Sequence, residues 1–200
     1  MRRLSSRSNK AGFQRQLKQE QRRRYWLIAL AWALFIYTMA FFAVPAGGFL
    51  NRVADINFLM ILLFLTATFF FLLSLLMRAG IHKTQTFVLT LSTLSIFAAQ
   101  YFTTAEHAKQ YHLIEYSFLC YLIYNAARLD LKGAWLWFLT FAGAVLIGAG
   151  DEGLQWIIPG RFPTWADVLC DTKAATFGLM FGAIVEMEKK LTALSGGRKP

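Results

Sequence analysis

The side chains of this sequence that can do chemistry gather at three places, each with helical spacing. His112, Glu115 and Tyr116 stand at i, i+3 and i+4, so one helix face carries all three. Asp151 and Gln155 are four apart, Glu152 and Gln155 three apart, and Asp167 and Asp171 again four apart. Arg161 falls between the second group and the third. If these faces converge, they form a polar pocket containing an imidazole, a guanidinium and several carboxylates. Such a pocket can hold a charged headgroup. The guanidinium takes phosphate through paired hydrogen bonds, and the carboxylates orient Arg161 or hold an ammonium or a sugar hydroxyl. In an enzyme, Glu152 or His112 is the candidate general base, and Arg161 stabilises developing negative charge. No dedicated nucleophile accompanies them.

Each group also has a plainer reading. Thr164 and Asp167 are spaced for a capping box at a helix start. His112 suits the headgroup layer of a membrane, Arg161 a phosphate-level loop anchor, and Asp171 and Lys173 helix packing. His82, His107 and His112 are dispersed, and no phosphate-cradling loop or Ser-His-Asp arrangement is present, so neither metal nor cofactor is expected. Cys120 and Cys170 lie in apolar segments and read as small buried residues, not a disulfide.

The elements that must position these groups are apolar. Apolar residues make up 56% of the chain and mean hydropathy is +0.43, against about 45–50% apolar for soluble domains. They come in blocks: Tyr25–Val44, Asn57–Met77, Thr84–Tyr101, Tyr111–Ala127, Ala134–Gly150 and Asp167–Val185. Each is close to the ~20 residues that cross a ~30 Å hydrocarbon core. A soluble globule of this length could not bury six such blocks. The expected fold is therefore all-α, a polytopic membrane bundle of about six transmembrane helices. The apolar run after the basic N-terminus is too long for a cleaved signal.

Charge gives the expected direction. Nine Lys and Arg fall in the first 24 residues against one acid, Glu20. Such a segment meets anionic lipid, in preference to nucleic acid, which is not an expected partner. Together with the basic loops at 78–83 and 128–132 and the C-terminal Lys189, Lys190, Arg198 and Lys199, it places both ends in the cytoplasm and the polar groups on the opposite side. The division expected is a mobile basic tail over 1–24, a bundle over 25–186 and a second tail over 187–200. Ala174, Gly178 and Gly182 form a small-residue stripe for close approach to the fourth or fifth span, with homodimerisation the alternative. Tyr25, Trp26, Tyr101, Trp135, Trp156 and Trp165 are placed for an aromatic belt.

The run Asp151-Glu152-Gly153-Leu154-Gln155, then Pro159-Gly160-Arg161, then Asp167-Val168, resembles the signature of VanZ-like membrane proteins. Lys109, His112, Glu115 and Tyr116 resemble that family's other motif, and the similar region runs over about 109–182. Asp171 and Ala174 stand where the family usually has Asn and Gly. The resemblance implies a bacterial inner membrane, a cell-envelope role in a glycopeptide-resistance context, and membrane lipids or a lipid-linked envelope precursor as partners. The alternatives are a membrane-embedded enzyme acting on lipid-phosphate or glycan-lipid substrates, a transporter, and a structural or assembly protein whose polar groups only lock helices together.

Overall fold

A computed structural model describes residues 2–53, 84–104, 107–159, 161–162 and 164–196, with side chains described over 12–41, 87–104, 110–159, 161–162, 164–191 and 193–194. Among them are five helices and no strand: α1 Arg2–Val53, α2 Thr84–Thr103, α3 His107–Ala127, α4 Gly133–Gln155 and α5 Trp165–Gly196. The described part of the chain is all-α, as the block pattern implies.

Three of these helices are long and apolar enough to cross a membrane: α1 over Gly12–Phe41, α4 over Gly133–Gln155 and α5 over Trp165–Leu191. The apolar part of α2, Phe87–Thr103, is shorter. α3 falls short in hydropathy because it carries His112, Glu115, Ser117 and Asn125. The expected block Asn57–Met77 lies outside the described residues. The count of six spans is thus not reproduced among them. α1 also differs from expectation. It begins in the basic segment at Arg2 and continues through Pro45, Gly47 and Gly48 to Val53, where a helix end was expected at Pro45. In an apolar medium an unpaired peptide group costs several kcal/mol, which favours continuing a helix through Pro and Gly.

The bundle turns many large apolar side chains outward and buries several polar ones within an apolar core. Leu30, Leu34, Ile96, Phe138, Leu146 and Leu169 are exposed, whereas Thr90, Thr93, Ser117, Thr140, Asp151, Glu152, Gln155 and Asp171 are buried. Large apolar surface facing outward marks a surface matched to lipid or to other protein. Trp135, Trp156 and Trp165 are exposed near helix ends, as an aromatic belt requires; Trp26 is exposed midway along α1, and Tyr101 is buried at 3% exposure, packed in the core with Phe97 and Leu113.

α3 sits at the centre, against α1, α4 and, most extensively, α5. Its face Leu113, Tyr116, Leu119, Cys120 and Ile123 is buried. The stripe on α5 makes this approach possible. A side chain at Gly178 would collide with the Ser117 carbonyl and stand 2.6 Å from the Cys120 Cβ, and one at Gly182 would stand 2.6 Å from the Tyr124 ring. The stripe is therefore used for packing on α3, the first of the two roles expected. The Ser117 hydroxyl, 2.9 Å from the Ala174 carbonyl and 2.6 Å from that of Leu113, ties the two backbones together. Edge-on ring contacts add α1 (Trp32–Phe118, 4.8 Å) and α2 (Phe97–Phe177, 5.1 Å) to this core.

At one end of the bundle, residues 128–132 turn the chain from α3 into α4. Gly133 follows with φ +61°, a left-handed conformation that a residue without Cβ adopts at no steric cost. Arg22 pairs with Asp130 at 2.9 Å, and the Trp26 indole donates to Asp130 at 3.1 Å. Arg128 meets Glu186 at 3.4 Å. The basic part of α1, the basic turn and the basic end of α5 thus share one end of the molecule. A cavity of about 570 Å³ opens there, lined by Tyr124, Arg128, Lys132, Trp137, Glu186 and Lys190 among others.

Candidate functional site

The acidic groups gather at the other end. His112 lies in the second turn of α3, Asp151, Glu152 and Gln155 in the last turns of α4, and Asp171 in the second turn of α5. Since α3 and α5 run parallel to each other and antiparallel to α4, these positions fall at one depth.

The geometry centres on His112. Its Nδ1 is 3.0 Å from Asp171 Oδ1 and 3.8 Å from Glu152 Oε1. The His112 side chain is 14% exposed, Glu152 6% and Asp171 1%. One ligand atom from each of the three lies within 4.8 Å of the other two. Asp171 reaches this position because Gly148 of α4 faces it; a Cβ at 148 would stand 2.8 Å from Asp171 Oδ2.

Around this centre, Gln155 donates to Asp151 Oδ2 at 2.9 Å. The Tyr116 ring lies tilted against His112 at 5.7 Å, and its hydroxyl stands opposite Asp151, short of hydrogen-bond geometry. Glu115 is half-buried on the same side of α3, within electrostatic range of His112, Asp151, Asp171 and Arg161. α1 closes the wall. The Trp32 indole donates to the Glu115 carbonyl at 3.1 Å and the Tyr37 hydroxyl to the Ile147 carbonyl at 3.0 Å. Nothing in the spacing of α1 residues signals this contribution.

Arg161 comes from the connection between α4 and α5. α4 tightens as it ends, with Trp156, Ile157 and Ile158 donating to Glu152, Leu154 and Gln155 carbonyls, and Pro159 stops it. The Arg161 amide then bonds the Ile158 carbonyl at 3.2 Å. Its guanidinium is within electrostatic range of Glu115 and Asp151, and its buried Nε has no hydrogen-bond partner among the described residues.

Asp167 takes its plainer role. Its Oδ2 accepts from the Thr164 amide at 2.9 Å and the Thr164 hydroxyl at 2.6 Å, closing the N-terminus of α5. It remains close enough to act electrostatically on Glu152 and Asp171. Lys173 is exposed on α5, away from the cluster, and Asn125 spends its amide on the Tyr121 carbonyl at 2.8 Å. The side chains of Lys109 and His107, and all of His82, lie outside the described residues.

The site therefore joins four carboxyl groups (Glu115, Asp151, Glu152 and Asp171) to one imidazole and one guanidinium. Tyr116 Oη, Asp151 Oδ1, both Glu152 oxygens, Arg161 Nε and Asp171 Oδ2 are buried without hydrogen bonds from the described residues. A buried polar group left unpaired costs about 1–3 kcal/mol, more if charged. Chemically the arrangement offers a concentrated negative field for a cation, one fixed donor for an anion, and an imidazole held by a carboxylate. No protein-family model, curated protein or solved structure matches the chain.

Proposed function

We propose that this chain is a VanZ-like integral membrane protein of the bacterial cell envelope, whose outward-facing polar site binds the headgroup of a membrane lipid or a lipid-linked envelope precursor. The observation that carries the reading is the meeting of acids from three helices with Arg161 at one end of a bundle whose outer surface is apolar. Arg161 takes the phosphate. Glu115 and Asp151, which lie within its electrostatic range, take a cationic or hydroxyl-bearing part of the same headgroup. Excess negative charge at the site favours a headgroup that carries an ammonium beside its phosphate. The six apolar blocks and the shared basic end support a six-span topology in the inner membrane with both termini cytoplasmic. Native mass spectrometry of the full-length protein in lipid nanodiscs tests the binding. Wild type retains phospholipid on release and Arg161→Ala loses it; equal retention by the two refutes the reading.

A second reading is an enzyme acting on lipid-phosphate or glycan-lipid substrates. It is favoured by the His112–Asp171 pair, since a carboxylate on one ring nitrogen orients an imidazole as a base. Turnover of such lipids that Asp171→Asn abolishes supports it; no turnover by folded wild type removes it.

A further inference from the structure

From the geometry we infer that His112, Glu152 and Asp171 form a binding site for a divalent transition-metal ion of the zinc or manganese class. The inference goes beyond the headgroup reading and does not depend on it, because it uses a different trio of side chains.

Three observations lead to it. The donor set, one imidazole nitrogen and two carboxylates, is the borderline-hard combination that suits zinc, manganese and ferrous iron, whereas calcium and magnesium prefer oxygen alone. The spacing fits. Ligand atoms about 2.0–2.2 Å from a tetrahedral ion lie roughly 3.3–3.6 Å apart. The His112–Asp171 and His112–Glu152 separations of 3.0 and 3.8 Å bracket that distance, and all three atoms lie within 4.8 Å of one another. The third observation concerns partners. Both Glu152 oxygens and Asp171 Oδ2 are buried without hydrogen bonds from the described residues, on side chains more than nine-tenths covered. Carboxylates so deeply placed are either paired or coordinate a metal. Among the described residues, His112 is the partner in both of their ion pairs.

The neighbours suit an ion as well. Asp151 and Glu115 add negative charge beside the trio. Gly148 leaves Asp171 room to turn toward the ion. Binding draws Glu152 inward and replaces the His112–Asp171 hydrogen bond by two coordinate bonds; the Nδ1 proton leaves as the ion enters. Three protein ligands leave a further coordination position for water or a ligand oxygen.

The test uses full-length protein in detergent, stripped with a chelator, incubated with zinc or manganese chloride and desalted, with metal counted by mass spectrometry. Wild type retains about one equivalent of one of these ions, and cobalt bound in its place gives visible d–d absorption bands. His112→Ala and Glu152→Gln each weaken binding by about tenfold or more. Glu152→Gln keeps the inference falsifiable if another variant misfolds. It preserves shape, and the carboxylate it replaces makes no hydrogen bond. Wild type that retains neither ion overturns the inference. So does Glu152→Gln that elutes as wild type does and retains equal metal.

Discussion

Substituting Gly178 by alanine tests the packing on which the whole arrangement rests. The new Cβ would meet the Ser117 carbonyl, stand 2.6 Å from the Cys120 Cβ and 3.0 Å from the Tyr121 amide nitrogen. Two of these contacts are backbone and the third is the first atom of a buried side chain, so no flexible side-chain end can move aside. Carbon atoms rest at about 3.5–4.0 Å, and α3 and α5 must therefore separate by about 1 Å at their closest point. Overpacking of this kind costs about 1–3 kcal/mol, or roughly 2–12 °C in melting temperature for a chain of this size. Thermal unfolding in detergent, followed with a dye that fluoresces on thiol labelling, suits the question because Cys120 lies buried at this contact. Gly143→Ala is the control: its Cβ meets nothing within 4 Å, so the same chemical change in α4 leaves the melting temperature unchanged or raises it. A Gly178→Ala protein that melts no lower than Gly143→Ala refutes the α3–α5 packing.

Three other outcomes follow from the same structure. Ser117→Ala removes a hydroxyl bonded to the Leu113 carbonyl of its own helix and, across the α3–α5 contact, to that of Ala174, and costs about 0.5–1.5 kcal/mol in denaturant unfolding; a change below about 0.2 kcal/mol contradicts that contact. Asp130→Asn breaks the Arg22 pair, whose arginine is 58% exposed, so the loss is below about 1 kcal/mol and shrinks with added salt. A salt-independent loss of several kcal/mol would show that the pair is more deeply covered than described. A small thiol reagent on the folded protein in detergent modifies Cys170, which is half-buried, well before Cys120, which is fully buried; peptide mapping that finds the reverse order contradicts the helix orientation.

Much of the architecture is readable from local pattern. A helical period in the apolar blocks and a small residue every fourth position are properties of one helix at a time. The Ala174, Gly178 and Gly182 stripe is accordingly visible before any coordinates, as is the Thr164–Asp167 cap. What one helix cannot show is depth relative to another. His112, Glu152 and Asp171 lie far apart along the chain, and their approach to within 4.8 Å of one another depends on how α3, α4 and α5 register, which Gly148 helps to set. For the same reason the trio carries no metal-ligand spacing in the sequence, and no metal was expected from it. Charge type also misleads when a local use competes: Asp167 has the chemistry of a site residue, but the helix start directly before it takes its carboxylate first. α1 escapes the pattern because Pro and Gly end helices in water more readily than in an apolar medium.

The central place of α3 bears on how the molecule is made. α3 is the most enclosed helix of the bundle, yet its hydropathy falls below that of the three helices able to cross a bilayer unaided. During synthesis it leaves the ribosome before α4 and α5, which supply the surfaces that later cover Ser117, Tyr116 and His112. A segment of that polarity partitions poorly by itself. The tight turn at 128–132 hands it a strongly apolar companion within a few residues. If α3 enters lipid, it does so paired with α4 as a hairpin, and a chain cut shortly after Lys132 leaves it without the helices that cover Ser117 and His112.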